Sequence, residues 1–198
     1  EELLVLEKIN LDISKGDIVS IMGESGVGKT TLLNIIGGLI NPDSGSVFIN
    51  GLNTNDLLNN IKRAQVFGYI FQSHYLLPEF NVLDNLVLPQ IIAKKTKKES
   101  LLKAYELLNY LNIEDLALNY PNQLSLGQSQ RISILRAVIN NPLILIADEP
   151  TGNLDENNSE LILDLFVKLN KRMNQTIIIA THDRKIMKIS NSSYEIIN

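Results

Sequence analysis

Short apolar runs alternate along this chain with longer stretches of helical periodicity. The runs Ile18–Met22 after Asp17, Leu143–Ala147 and Thr176–Ala180 are nearly continuous in apolar residues, the pattern of strands covered on both faces. Weaker runs predict further strands at Leu3–Leu6, Ser46–Ile49, Val66–Phe71 and Tyr194–Ile197. Helical spacing predicts Thr31–Ile36, stopping at Gly37-Gly38, then Asn81–Ala93, Lys97–Leu111, Leu126–Asn140 and Asn157–Met173. In the last of these, Leu161, Leu165 and Leu169, with Ile162 and Phe166, sit at i,i+4 spacing and predict a core-facing stripe. The alternation points to an α/β fold with a largely parallel sheet. Strand signals vanish between Asn81 and Asn140, so one domain over 1–198 is expected. Its sheet-bearing core covers 1–80 and 141–198, and a helical subdomain, 81–140, interrupts it.

Composition narrows the class without changing that outline. With 198 residues, 44% hydrophobic and 20% charged, the chain reads as one soluble globular domain. Its net charge of −4 argues against nucleic acid as a partner. The absence of cysteine excludes disulfides and thiolate metal sites but leaves the compartment open. No apolar run approaches the roughly 20 residues a membrane-spanning helix needs. The start at Glu1-Glu2 has no signal-peptide pattern, and the missing initiator Met leaves room for residues upstream. Lys94-Lys95-Thr96-Lys97-Lys98 is the one charge cluster; a solvated loop and helix start is the first reading, contact with anionic lipid headgroups the sharper one.

The candidate chemistry begins at Gly23-Glu24-Ser25-Gly26-Val27-Gly28-Lys29-Thr30, a complete phosphate-binding loop set between a predicted strand and a predicted helix. Glycines let the backbone close around a polyphosphate, and successive amides with the helix N-terminus, reaching Thr31, supply an anion cradle. Lys29 adds a point charge at the β- and γ-phosphates, and the Thr30 hydroxyl is suited to ligate Mg²⁺. Such a loop calls for an acidic partner on another buried strand. Leu143–Ala147 delivers Asp148 for the metal's water shell, and Glu149, pointing elsewhere, can polarise a water for in-line attack.

Further residues extend this pattern: Phe71-Gln72, then Leu124-Ser125-Leu126-Gly127-Gln128 opening a helix with Gln130-Arg131, then Asn153-Leu154-Asp155 and Thr181-His182-Asp183. Their order from Asp17 to Asp183 resembles the ATP-binding subunits of ABC transporters. The resemblance implies an α/β P-loop NTPase with a mainly parallel RecA-like sheet, N-terminal antiparallel strands and an inserted helical subdomain. It also implies an ATPase that uses ATP and Mg²⁺ and works as a homodimer, with ATP at the interface between one copy's phosphate loop and the other's signature. Ser125 and Gly127, with Gln128 beside them, would bind the γ-phosphate across that interface. Gln72 would reach Mg²⁺ or the lytic water, His182 would hold the γ-phosphate and orient the water, and Asp155 would link the two sites. Lys29, Gln72, Glu149 and His182 form the catalytic set, and Thr30, Gln72 and Asp148 the metal set. His74 has no motif role and reads as a surface residue.

Two departures stand out. Leu126 occupies a position where the family's signature has Gly, and nothing before Leu3 supplies the aromatic on which the family stacks adenine.

Asp148–Asp155 and Leu32–Leu39 resemble the group containing lipoprotein-releasing (LolD), MacB-type efflux and FtsE-type cell-division ATPases. Gln72–Phe80, followed by Val82–Leu86, most resembles the lipoprotein-releasing members. That implies release of lipoproteins from the inner membrane, the alternatives being efflux or regulation of division. The subunit would sit peripherally on the cytoplasmic face of that membrane, with permease subunits docking near Gln72–Phe80. Phe71, Tyr75, Leu76, Leu77 and Phe80 crowd apolar groups there; Phe71 and Leu86 are core candidates and the rest suit a groove for a partner helix.

Overall fold

The computed structural model describes residues 4–54 and 60–197. In chain order these form β1 (Ile18–Met22), α1 (Lys29–Ile36), β2 (Phe48–Ile49), β3 (Leu52–Asn53), α2 (Asn60–Val66), β4 (Phe67–Ile70), α3 (Val82–Ile92), α4 (Lys97–Tyr110), α5 (Leu126–Val138), β5 (Ile144–Asp148), α6 (Glu156–Met173), β6 (Thr176–Thr181) and β7 (Ser192–Glu195). The main sheet runs β4-β5-β6-β1-β7, and every neighbouring pair is parallel. β2 and β3 pair antiparallel beside it.

Strand alternation assigns the two faces of the sheet. Leu145 and Ala147 of β5, with Ile177 and Ile179 of β6, join a core built with α3, α4, α5 and α6. Ile146, Ile178 and Ala180 point the other way, onto Leu32, Leu33 and Ile36 of α1. Those α1 residues follow i, i+1, i+4 spacing from Leu32, the stripe of a helix buried on one side. Phe166 at the centre of α6 is fully buried, as are Leu86, Leu108 and Ile132 of the helices around it.

The runs after Asp17, at Val66–Phe71, Leu143–Ala147 and Thr176–Ala180 became β1, β4, β5 and β6, and β7 begins two residues ahead of its predicted start. The expected strand at Leu3–Leu6 is corrected. Leu3 lies outside the described residues, and Leu4–Leu6 form no strand. Instead the segment passes the phosphate loop: a Cβ on Gly28 would come within 3.0 Å of Leu6 Cδ2 and 3.3 Å of the Val5 carbonyl. Antiparallel pairing among the described residues is therefore that of β2 and β3. Leu161 is a second correction. Ile162, Leu165, Phe166 and Leu169 make the buried stripe of α6, whereas Leu161, one position off it, is 51% exposed.

Helix ends are fixed by their own side chains. Thr96 caps α4 in a reciprocal capping box with Glu99, so the lysine run Lys94–Lys98 is an exposed connection that becomes a helix start. Ser125 caps α5 in the same way with Gln128, and Asp155 caps α6 through the Asn158 amide.

Candidate functional site

β1, β5 and β6 end at one level, since Met22 pairs with Thr181 and Asp148 with Ala180. This brings the segments that follow all three strands to the carboxyl edge of the sheet, where open parallel sheets bind ligands. After β1 the chain turns through Gly23, Gly26 and Gly28 at φ of 154°, 84° and 105°. Gly26 and Gly28 thus hold left-handed backbone that side chains disfavour, and Gly28 is the N-cap of α1. The exposed Glu24 and Ser25 form the outside of the turn, and Val27 is buried beneath it. Lys29, 6% exposed, curls back so that its Nζ donates to the Gly23 and Glu24 carbonyls at 2.8 and 2.9 Å.

Asp148 follows Ile146 in alternation and so faces α1. There the Thr30 hydroxyl donates to Asp148 Oδ2 at 2.7 Å. Burial pushes the Asp148 carboxyl above its usual range, the Thr30 hydrogen bond opposes this, and the neighbouring Glu149 charge adds to the rise. Glu149 breaks the alternation. Its φ of 45° is left-handed, while its amide still donates to the Ala180 carbonyl at 2.8 Å. The side chain is thereby aimed along the strand ends. Glu149 Oε1 is 3.5 Å from Lys29 Nζ. Its Oε2 accepts from the Thr181 hydroxyl at 3.1 Å and lies 2.9 Å from His182 Nδ1. A strained backbone at the residue that gathers three partners is the kind of outlier that accompanies function.

Gln72 stands at the edge of this cluster, in weak contact with Asn153: Gln72 Nε2 to Asn153 Oδ1 is 3.5 Å, and Asn153 Nδ2 to the Gln72 carbonyl 3.4 Å. A cavity of about 280 Å³ is lined by Thr30, Asp148, Gln72, Phe71 and Tyr75 among others, so the acidic strand end and the apolar loop after Gln72 share one cleft. Phe71 stacks on Tyr69 and meets Tyr75 edge-on, and Leu76 packs against the core. Tyr75 is 64% exposed, and Leu77 and Phe80 are exposed as well. His74 is corrected: it is half-buried, and burial, with the Arg136 charge, lowers its pKa.

Ser125, Gly127 and Gln128 are not brought to that cluster. None of the described hydrogen bonds joins them to the phosphate loop. The Ser125 hydroxyl accepts from the Gln128 amide at 3.2 Å, and the Gln128 side chain accepts from the Ser125 amide at 2.8 Å. Gly127 packs so closely on α6 that a Cβ would lie 2.2 Å from Asn158 Oδ1. Leu126, in place of the family's Gly, points outward at 58% exposure. Thr31 follows Thr30 on α1 and is half-buried.

The sequence reading gave no role to Thr181 or Asn153, although both lie inside quoted motifs. A hydroxyl at the end of an all-buried strand was the available signal for Thr181. The donor set also bears on a metal. No group of three or more His, Cys, Asp or Glu side chains suited to an ion occurs among the described residues. Thr30 and Asp148 nevertheless offer hard oxygens, and Asp148 Oδ1 is buried without a partner. This fits a small divalent cation that draws its other ligands from phosphate and water, as Mg²⁺ does.

A parallel sheet whose first strand runs into a phosphate loop, with an Asp-Glu pair closing a neighbouring strand, defines a P-loop nucleoside triphosphatase. Residues 6–152 match the model of the ABC transporter family, and the chain belongs to that family. It is an ATP-binding cassette and an ATPase. It is 44% identical over 191 residues to the lipoprotein-releasing system ATP-binding protein LolD of Buchnera aphidicola subsp. Schizaphis graminum, covering 95% of this chain and 83% of that one. To the protein of the same name from Porphyromonas gingivalis it is 46% identical over 188 residues, 93% of this chain and 85% of the other. Among solved structures it resembles a dimeric, post-hydrolysis ATP-binding cassette bound to ADP and Pi, with a TM-score of 0.87 and 39% identity over 97% of this chain and 86% of that one. A dimeric bacterial ABC transporter cassette gives a TM-score of 0.85 at 39% identity, over 96% and 86%. The group resemblance drawn from Leu32–Leu39 and Gln72–Phe80 thus agrees with these relatives, and nothing in them favours the efflux or cell-division alternative.

Proposed function

We propose that this chain is the ATP-hydrolysing subunit of a lipoprotein-releasing transporter, working as a homodimer beneath partner membrane subunits. The observation that carries the chemistry is the convergence on Glu149 of Lys29, Thr181 and His182, beside the Thr30–Asp148 hydrogen bond. The backbone from Gly23 to Thr31 cradles the phosphates, and Lys29 turns from its loop carbonyls to the β- and γ-oxygens. That turn frees Glu149 from the ammonium, so its carboxylate can take a proton from the attacking water while Thr181 fixes its orientation. His182 stands at the γ-phosphate side of Glu149, and Gln72 closes the cleft above Asp148. Thr30 and Asp148, with Gln72, would hold Mg²⁺, which when bound neutralises charge on the phosphate oxygens.

Ser125 and Gly127, with Gln128 beside them, serve the partner copy's ATP. Their separation from the chain's own Lys29 cluster supports that reading. Residues 81–140 act as the helical subdomain on a core of 1–80 and 141–198. The membrane subunits dock near Gln72–Phe80, with Tyr75, Leu77 and Phe80 as the exposed anchors. The protein is then peripheral, on the cytoplasmic face of the inner membrane. Among the described residues no helix is long and apolar enough to cross a membrane, which is consistent with attachment through partners.

The test is recovery of tagged Glu149→Gln protein with Mg–ATP from detergent-extracted native membranes. Membrane subunits with large extracytoplasmic domains, carrying lipoprotein, are expected. A single division-associated membrane protein, or soluble proteins alone, would overturn lipoprotein release.

A further inference from the structure

Arg136, which no motif above absorbs, sits in the last turn of α5. A basic residue there ordinarily serves its own helix's carbonyls or dipole. Arg136 does otherwise. Its Nη1 donates to the Tyr75 carbonyl at 2.6 Å and its Nη2 to the His74 carbonyl at 2.7 Å. Those two carbonyls belong to consecutive non-glycine residues in left-handed backbone, His74 at φ 57° and Tyr75 at φ 46°. Side chains are sterically disfavoured in that region, so the pair needs outside support. Local bonds, Tyr75 N–H to the Ser73 carbonyl and His74 N–H to the Phe71 carbonyl, only shape the turn. The planar fork of the guanidinium ties the backbone of this turn to α5, while the Tyr75 ring meets Phe71 and Leu76 packs against the core.

The remainder of the loop is anchored on a different helix. Asn85 of α3 is buried; its Oδ1 accepts from the Leu77 amide, and its Nδ2 donates to the carbonyls of Leu77, Phe80 and Asn81. Side-chain hydrogen bonds among the described residues thus hold the loop on two helices, α3 and α5. The hold on α5 is the one that joins it to Ser125. The helix between Ser125 and Arg136 carries the fully buried Ile132, Ile134 and Leu135 and is about 16 Å of hydrogen-bonded rod at 1.5 Å per residue.

We infer that Arg136 is a positioning residue that transmits displacement of α5 to the apolar loop Ser73–Phe80. Through it, the signature end of the helix and the docking face of the loop move together. This rests on the proposed function, in which Ser125 meets nucleotide and the loop meets the membrane subunits. His74 beside the guanidinium is held toward its neutral form by burial and by the Arg136 charge, so no second cation competes for the two carbonyls. Lysine could not substitute fully, because an ammonium lacks the planar fork.

The chain contains no Trp, so Tyr75→Trp in the Glu149→Gln background places a single indole on the loop. Its emission and acrylamide quenching are followed while Mg–ATP is titrated, with ATP binding measured separately by equilibrium dialysis. ATP is expected to change the indole signal when Arg136 is present. Adding Arg136→Gln should leave ATP affinity essentially as in the parent while removing most of the indole response. Arg136→Lys should recover part of the response. It also becomes the deciding variant if Arg136→Gln loses the thermal transition of the parent. A full response in Arg136→Gln, or a full one in Arg136→Lys where Arg136→Gln does not fold, overturns the coupling. Bound ATP without any indole response in the parent overturns it too. A parent that binds no ATP removes the proposed function and the coupling together.

Discussion

At the scale of single residues, the site sets stability against function most clearly at Asp148. Desolvation is the largest influence on its carboxyl and raises its pKa, with the Thr30 hydrogen bond and the Lys29 charge offsetting only part. A raised folded-state value means the fold holds this proton more tightly than the unfolded chain does. The stabilisation is complete below the ordinary value of 3.8 and is lost as the pH rises through the folded value, so at pH 7 the ionised group is a liability. Asp148→Asn keeps an acceptor for Thr30 and removes the charge. The nucleotide-free variant should melt higher at pH 7 by about 1–2 °C, given roughly 2–4 °C per kcal/mol at this length and partial solvent screening. That gain should shrink on acidification toward pH 4, and Mg²⁺-dependent hydrolysis should be lost. Differential scanning calorimetry across pH, beside a phosphate-release assay, checks both signs; a lower melting point at pH 7 would show that the carboxylate is a net stabiliser.

Among elements, the junction of α5 with α6 makes the sharpest demand. Gly127 lies in the first turn of α5, where Ala would ordinarily be the better helix former by up to about 1 kcal/mol. Here the added Cβ meets Asn158, and Asn158 cannot swing aside freely because its Nδ2 donates to Asp155 Oδ2 at 2.6 Å. Overpacking against a tethered side chain costs about 1–3 kcal/mol, so Gly127→Ala should destabilise the parent. In an Asn158→Ala background the two closest contacts are removed and an approach to the Cβ of residue 158 at 3.2 Å remains, so the same change should cost much less, a difference that paired urea midpoints would detect. Spacing alone could not reveal this contact, since Gly127 and Asn158 stand on helices far apart in the sequence. Legibility followed the same division elsewhere. β1, β5 and β6 were readable because a strand covered on both faces is a continuous apolar run, and Asp148 and Glu149 were readable as the end of one. β2 lies inside the strand predicted at Ser46–Ile49 but keeps only Phe48 and Ile49, and β3, two residues long, is too short for a period to show. Leu3–Leu6 had the composition of a strand, but composition cannot say whether a neighbour offers free hydrogen-bonding groups. Leu161 was misplaced because i,i+4 spacing from it omits the 3.6-residue drift that puts Ile162 at the stripe's centre. Thr181 acts through a long-range hydrogen bond to Glu149 and Arg136 through a pair to the His74 and Tyr75 carbonyls, and neither leaves a periodic trace.

For the whole molecule, the decisive feature is that one chain separates the two halves of what the proposed function treats as a single site. Lys29, Thr30, Asp148, Glu149 and His182 meet at the carboxyl edge of the sheet. Ser125 and Gly127 stand at the start of α5 with no hydrogen bond to them among the described residues. A helix N-terminus capped by an exposed Ser keeps amides and a positive dipole end directed outward, able to meet the γ-phosphate held by another copy. If ATP is what joins the halves, association must depend on bound nucleotide by mass action, and departure of the cleaved γ-phosphate must reverse it. Glu149→Gln keeps the side chain's volume and removes the base, so ATP should persist. With Mg–ATP this variant should sediment at twice the 22.2 kDa of one chain, and with ADP or no nucleotide at that of one chain. Adding Ser125→Ala to it should weaken the ATP-bound dimer by about a hundredfold or more, since each of its two Ser125 contacts is a hydrogen bond to a charged group contributing roughly 1.5–3 kcal/mol, while loss of the cap costs a further ~1 kcal/mol only within the monomer. ATP affinity measured at protein concentrations too low for association should stay the same in both variants. Equal dimer stability in the two would mean that Ser125 caps its own helix and does nothing across the interface, leaving Gly127 and the helix dipole to hold the second phosphate contact.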